Sequence, residues 1–231
     1  MAAGFRHELK FICSDSQLAI IESQIKAVLE PDPNAGRDGK YIIRSLYFDD
    51  IYDTCFRENE QGIDPRSKFR IRTYNYSRDR ISLEKKSKKK GMTRKDICII
   101  SPEILEKMQN GEDMSLYLNQ DPVLDEWILL NRQRLFKPRM LGEYVRTPYV
   151  YKPGNVRITF DRNIVAARPD LDMFEKNIPR VAVMKNNRHV LEVKYDGFLP
   201  DFIEKLISSH HLQQTNFSKF YLGCKALDGR L

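Results

Sequence analysis

Residues 68–75 read KFRIRTYN, which sets Lys68, Arg70, Arg72 and Tyr74 on alternate positions with Phe69 and Ile71 between them. An extended strand repeats every two residues, so this segment carries one cationic face and one apolar face. The alternation recurs in RHELKF, ISLEKKSK, VRITFD and LEVKY. These group Arg6 with Glu8 and Lys10, Glu84 with Lys86 and Lys88, Arg157 with Thr159 and Asp161, and Glu192 with Lys194. YVRTP adds Arg146. The polar faces are nearly free of Ser, Gln, Asn and Thr, and a Glu-x-Lys pattern occurs three times, at 8/10, 84/86 and 192/194.

Two arrangements fit such strands. In one, the charged face is the solvated side of a half-buried sheet. In the other, the sheet closes with its charges inside, where two cations ~6 Å apart repel by about 2–3 kcal/mol at an effective dielectric near 20. A polyanion with its charges in a line would relieve that repulsion. Arginine suits the task because its planar fork takes phosphate oxygens in pairs, while lysine acts as a mobile point charge. The sparse glutamates would then serve Mg²⁺ or Mn²⁺, which bind carboxylates and share phosphate oxygens.

The elements that must position these residues are legible in outline. Ser14 and Gln17 form a capping box before a helical stripe of Leu18, Ile21, Ile25, Val28 and Leu29, which ends at Pro31. A second helix is expected over 121–136, capped by Asp121 with Pro122 in its first turn and Val123, Leu124, Trp127, Ile128 and Leu135 on its buried side. Shorter helices are expected near 102–110, 200–208 and 217–227. Strand character marks 5–12, 41–48, 66–76, 80–88, 93–100, 139–149, 155–163 and 188–196. The expectation is an α+β protein dominated by one antiparallel sheet, and eight strands suffice to close a barrel.

Bulk properties narrow the partners. The 231 residues carry a formal charge of +7, 31% charged and 41% hydrophobic residues, with a pI near 9.1 and a mean hydropathy of −0.54. That balance points to an anionic partner without choosing among nucleic acid, acidic lipid and phosphate compounds. Repeats and low-complexity linkers are absent, so residues 1–231 are expected to form a single domain. No apolar run reaches membrane-spanning length and the first residues lack a signal-peptide core, which makes a cytoplasmic location the expectation. Cys13, Cys55, Cys98 and Cys224 are scattered without a C-x-x-C pair, and His210 and His211 read as a surface helix end.

The ordered set RHELKF, SLYFDD, FRIRTYN, LEKKSK, YVRTPY…VRITFD, LEVKY and FSKFYLG, running from about residue 5 to 224, resembles the VTC domain. That is the catalytic domain of polyphosphate polymerases, within the triphosphate tunnel metalloenzymes. The resemblance implies a closed eight-stranded antiparallel barrel forming a tunnel, with helices packed outside. It implies transfer of the ATP γ-phosphate to an inorganic polyphosphate chain with release of ADP, using Mn²⁺ or Mg²⁺. It assigns Arg70, Arg72, Lys86 and Arg157 to the transferring phosphates and Lys10, Arg94, Arg146, Lys194 and Lys219 to further phosphate contacts. Glu192 is the implied metal carboxylate, with Glu8 a second acidic candidate. Lys95 competes with Arg94 for the lumen, and Lys68 is expected at the tunnel mouth. In KKSKKK, 85–90, only Lys86 and Lys88 are expected to reach inward.

Two positions depart from the family pattern. Arg6 stands where the wider superfamily has the first glutamate of Glu-x-Glu-x-Lys, and Asn216 replaces a lysine. The second departure keeps open a non-catalytic polyphosphate-binding module, and water in place of the growing chain would give a triphosphatase or polyphosphatase. The expected partners are ATP and inorganic polyphosphate, with a separate membrane protein for export or anchoring left open. Nucleic acid is disfavoured, since the aromatics near Arg70 and Arg72, Tyr74 and Tyr76 among them, form no regular exposed row.

Overall fold

The computed structural model describes residues 4–184 and 187–230. In chain order its strands are β1 His7–Ser14, β2 Glu30–Pro31, β3 Tyr41–Asp49, β4 Arg66–Tyr74, β5 Ile81–Lys89, β6 Met92–Ile100, β7 Lys137–Tyr151, β8 Val156–Ala167, β9 Val181–Ala182, β10 Arg188–Tyr195 and β11 Gln213–Gln214. The helices are α1 Asp15–Val28, α2 Thr54–Glu60, α3 Pro102–Asn110, α4 Pro122–Arg134, α5 Asp201–Ser208 and α6 Lys219–Leu227. Local chemistry sets their ends. Ser14 and Gln17 complete the expected capping box on α1, Asp121 accepts the Val123 amide at 2.8 Å to start α4, and Gly111, at φ 70°, closes α3 in the left-handed conformation a glycine adopts freely.

All pairings are antiparallel, in the order β11-β1-β10-β8-β7-β3-β4-β5-β6, with β2 on β7 and β9 on β8. The sheet curls until its far strands touch. Arg6 and Thr93 exchange both backbone hydrogen bonds, at 2.8 and 2.9 Å. The seam holds that bridge and no continuous ladder among the described residues, so the molecule has a strongly curled sheet where a closed eight-stranded barrel was expected. The reason lies on the free edge of β1. There β11 takes the backbone of Phe11 and Ile12, so that part of the edge is closed to β6, since an edge once paired cannot be paired again.

Outside the curl, α1 and α5 bury Ile21, Ile25, Ile203 and Ile207 with Ile158, Phe160, Leu191 and Val193. Around the turn of the sheet, Trp127 of α4 meets Phe48 edge-on at 5.7 Å in a cluster that also takes Leu105 and Met108 of α3. The expectation that every helix packs outside is corrected by α6. It lies on the inner face, with Phe220 and Cys224 against Tyr47, Met140 and Ala166. A Cβ at Gly223 would stand 2.6 Å from Met140 Cε, so the helix approaches β7 closely there. Thus α6 fills one part of the curl and points its first turn, Ser218 and Lys219, at what remains open. No helix among the described residues is long and apolar enough to cross a membrane.

Candidate functional site

The space left inside the curl is a cavity of about 370 Å³. Residues directly opposite in antiparallel strands share a face, and the register puts the cationic positions together. Lys68 faces Lys86, Arg70 faces Glu84 and Arg72 faces Ser82. Lys10 faces Glu192 and Glu8 faces Lys194. Lys194 faces Arg157, and Arg146 faces Asp161. All eleven residues named above as phosphate or metal contacts line the cavity: Glu8, Lys10, Arg70, Arg72, Lys86, Arg94, Arg146, Arg157, Glu192, Lys194 and Lys219. Among the described residues, fourteen lysine and arginine side chains line it, against two carboxylates, Glu8 and Glu192.

Carboxylates beside and behind the lining hold this charge in place. Arg70 bonds Glu84 through Nε and Nη2 at 2.8 and 2.6 Å, and Arg72 and Lys95 approach the same carboxylate at 3.6 and 3.3 Å. Arg146 binds Asp161 through two nitrogens at 2.7 and 2.8 Å, and Lys219 reaches it at 2.6 Å. Arg157 pairs with Asp32 at 2.6 Å and with the Tyr41 hydroxyl at 2.9 Å. Lys86 donates to both oxygens of Glu8, at 2.7 and 2.8 Å, while Lys10 and Lys194 stand 3.5 and 3.4 Å away. The glutamates of the Glu-x-Lys pattern are therefore counter-ions, which removes much of the repulsion an unneutralised lumen would suffer.

The electrostatics follow the pairing. Burial alone would raise Glu8, but Lys10, Lys86 and Lys194 outweigh it and hold the carboxyl far below its usual range. Burial of Glu84 is overcome in the same way by Arg72, Arg70 and Lys95, and that of Glu192 by Lys194 and Arg146. Tyr47, buried under Arg70, Lys68 and Arg72, is brought down to about 8 against the effect of burial. Burial brings Lys95 down to about 8 despite Glu84.

Some positions differ from expectation. Lys68 lies inside the cavity, not at a mouth, with Nζ 3.2 Å from Ser218 Oγ. At the 94/95 pair, Lys95 faces Lys86 and bonds Glu84, while Arg94 faces Ser87 and bonds Asp96 at 3.0 Å. Both residues line the cavity, and one residue of register sets them on opposite faces of β6. Arg6 serves the seam, with Asp196 at 2.6 Å from its Nε. Of the 85–90 run, Lys86 and Lys88 line the cavity and Lys85 pairs with Glu126 outside. Glu84, one of the sparse glutamates expected to serve a metal, is instead the counter-ion of Arg70, Arg72 and Lys95, and Asp161, which alternates with Arg157, is that of Arg146 and Lys219. Asp32 sits in a loop and gave no legible signal.

A divalent metal finds limited protein ligation. Among the described residues no group of three or more His, Cys, Asp or Glu side chains could hold one. Glu192 Oε1 has Lys194 at 2.6 Å yet accepts no well-directed hydrogen bond, and Thr159 Oγ1 across the ladder has no partner among the described residues. Glu192 therefore fits a cation that arrives with phosphate oxygens as its other ligands. Glu8, clasped by three ammonium groups, is less well disposed.

The VTC domain model matches residues 5–228. The chain belongs to the VTC-domain family. Within the VTC fold, its backbone is similar to that of a Bacillus halodurans protein described as a candidate adenylate cyclase, at 13% identity and a TM-score of 0.56, over 94% of this chain and 96% of that one. It is also similar to the PH1012 protein of Pyrococcus horikoshii OT3, at 14% identity and a TM-score of 0.50, over 94% and 98% of the two chains. These likenesses concern the fold alone. No curated protein matches the VTC chain in sequence.

Proposed function

We propose that this VTC domain, acting as one unit, is an ATP-dependent inorganic polyphosphate polymerase that moves the γ-phosphate of ATP onto a polyphosphate chain and releases ADP. The observation that carries the reading is the charge of the cavity: among the described residues, fourteen lysine and arginine side chains and two carboxylates around about 370 Å³. Such a site holds several linked phosphates better than any single anion. Membership of the VTC family supplies the second support.

Phosphoryl transfer needs positioning and charge neutralisation more than covalent chemistry. Arg70, Arg72, Lys86 and Arg157 would hold the nucleotide phosphates and stabilise the equatorial oxygens as charge develops on them. Lys10, Arg94, Arg146, Lys194 and Lys219 would grip the neighbouring phosphates. Each arginine fork is already aimed by a carboxylate, so little reorganisation is needed when the anion enters. Mn²⁺ or Mg²⁺ held by Glu192 would neutralise phosphate oxygens when bound. The attacking terminal phosphate is anionic near neutral pH and needs no dedicated base.

The test is incubation of the pure protein with ATP, Mn²⁺ and a short polyphosphate primer. ADP with lengthening chains is the expected result. Orthophosphate without chain growth would make the protein a hydrolase. Tight polyphosphate binding without ADP would make it a binding module, for which Asn216 in the cavity wall is the residue to examine.

A further inference from the structure

Lys68 differs from the other cations at the centre of the cavity. Its neighbours Lys10, Arg70, Arg72, Lys86, Lys194 and Lys219 each have a carboxylate oxygen within 3.6 Å. Among the described residues no carboxylate lies within 4 Å of Lys68 Nζ; its polar partner is a hydroxyl, Ser218 Oγ at 3.2 Å. The ammonium otherwise meets ring faces, 5.2 Å from the Phe220 centroid and 5.9 Å from that of Tyr47. Ser218 also caps α6, where its Oγ accepts the Tyr221 amide at 3.3 Å. A half-buried ammonium held by one hydroxyl and two rings is poorly compensated, and an entering phosphate oxygen would give it the partner it lacks.

The geometry points to Lys68 as a further phosphate contact of this cavity, one that takes up a proton as the phosphate enters and so makes oligophosphate binding proton-linked. This rests on reading the cavity as a phosphate site. The groups facing Lys68 are Tyr47 on β3, Lys10 on β1, Lys86 on β5, Arg70 on its own strand, Cys55 on α2, and Ser218 and Lys219 at the start of α6. Burial, opposed by Tyr47 and aided by Lys10 and Arg70, brings the free ammonium down to about 8. A phosphate beside it would raise that value again, so above pH 8 binding has to recruit a proton.

Calorimetric titration of sodium tripolyphosphate tests this on the whole chain. Lys95 and the ligand also ionise in this range, so the comparison is between proteins, and it is repeated in a Tyr47→Phe background because Lys68 itself lowers the Tyr47 phenol. The loss of affinity from pH 7 to pH 9 should be greater for the native protein than for Lys68→Arg by about tenfold, because arginine stays charged. Lys68→Met should bind about tenfold more weakly than native at pH 7. Titration in two buffers of different ionisation enthalpy at pH 8.5 should show native protein taking up about 0.7 of a proton more than Lys68→Met. That proton count decides the matter if the longer arginine displaces Tyr47. Equal proton uptake by native protein and Lys68→Met overturns the role of Lys68. No tripolyphosphate binding by any of the proteins overturns the phosphate reading on which it rests.

Discussion

Replacing Glu84 by glutamine distinguishes a cavity adapted to a polyanion from an ordinary buried ion-pair cluster. Glu84 is 1% exposed and is shared by Arg70 at 2.6 Å, Arg72 at 3.6 Å and Lys95 at 3.3 Å. At an effective dielectric near 20, each unit-charge contact at ~4 Å is worth about 4 kcal/mol before desolvation. Removing one member of such a buried set costs about 3–5 kcal/mol net, because the remaining charges stay behind unpaired. In a chain of this size each kcal/mol moves the melting temperature by roughly 2–4 °C, so Glu84→Gln should melt about 6–20 °C below the native protein. Tripolyphosphate should then recover more stability in the variant than in the native protein, since it gives Arg70 and Arg72 the negative charge they have lost. A ligand at one hundred times its dissociation constant contributes about 2.7 kcal/mol, and its affinity for the variant should be the higher of the two. Thermal unfolding with and without tripolyphosphate reads both effects. A variant that melts with the native protein, or gains no more from the anion, refutes the reasoning.

Two further outcomes follow from the same network. Glu8, Glu84, Asp161 and Glu192 are all held below their ordinary range in the folded state. The unfolded chain therefore takes up those protons first, so stability that is full at neutral pH begins to be lost as pH falls below about 4 and goes on falling towards the depressed folded values. Urea unfolding at pH 7, 5 and 3 should show this, and equal stability at pH 7 and 3 would contradict it. Glu192→Gln should lower Mn²⁺-dependent turnover by roughly 100-fold or more, if the ion contributes several kcal/mol to the transition state. Tripolyphosphate binding should persist in that variant, and undiminished Mn²⁺-dependent turnover would remove Glu192 from the metal site.

Much of the site was legible because a strand's two-residue period is a local property. The alternation through Lys68, Arg70 and Arg72 already stated that these three share a face. Which way that face points is not local. It depends on the curl of the sheet, and the Arg94/Lys95 choice turned on a register that only the pairing of β5 with β6 fixes. The capping box of α1 was readable for the same local reason, whereas α2 has no side-chain cap from its N-cap residue Asp53. Its N-terminus is held by Asp49, at the end of β3, whose two oxygens accept the amides of Cys55 and Phe56 at 2.8 and 3.0 Å. The inward placement of α6 depends on the close approach of Gly223 to Met140, far apart in sequence. The counter-ion role of the glutamates was hidden likewise, since Lys86 and Glu8 meet only across the seam.

A crystal structure of the native protein with tripolyphosphate tests the central claim most directly. The anion should lie inside the curled sheet with its oxygens on Arg70, Arg72, Arg157 and Lys194. An anion bound only on the outer surface, or a cavity that excludes it at saturating concentration, would contradict the account.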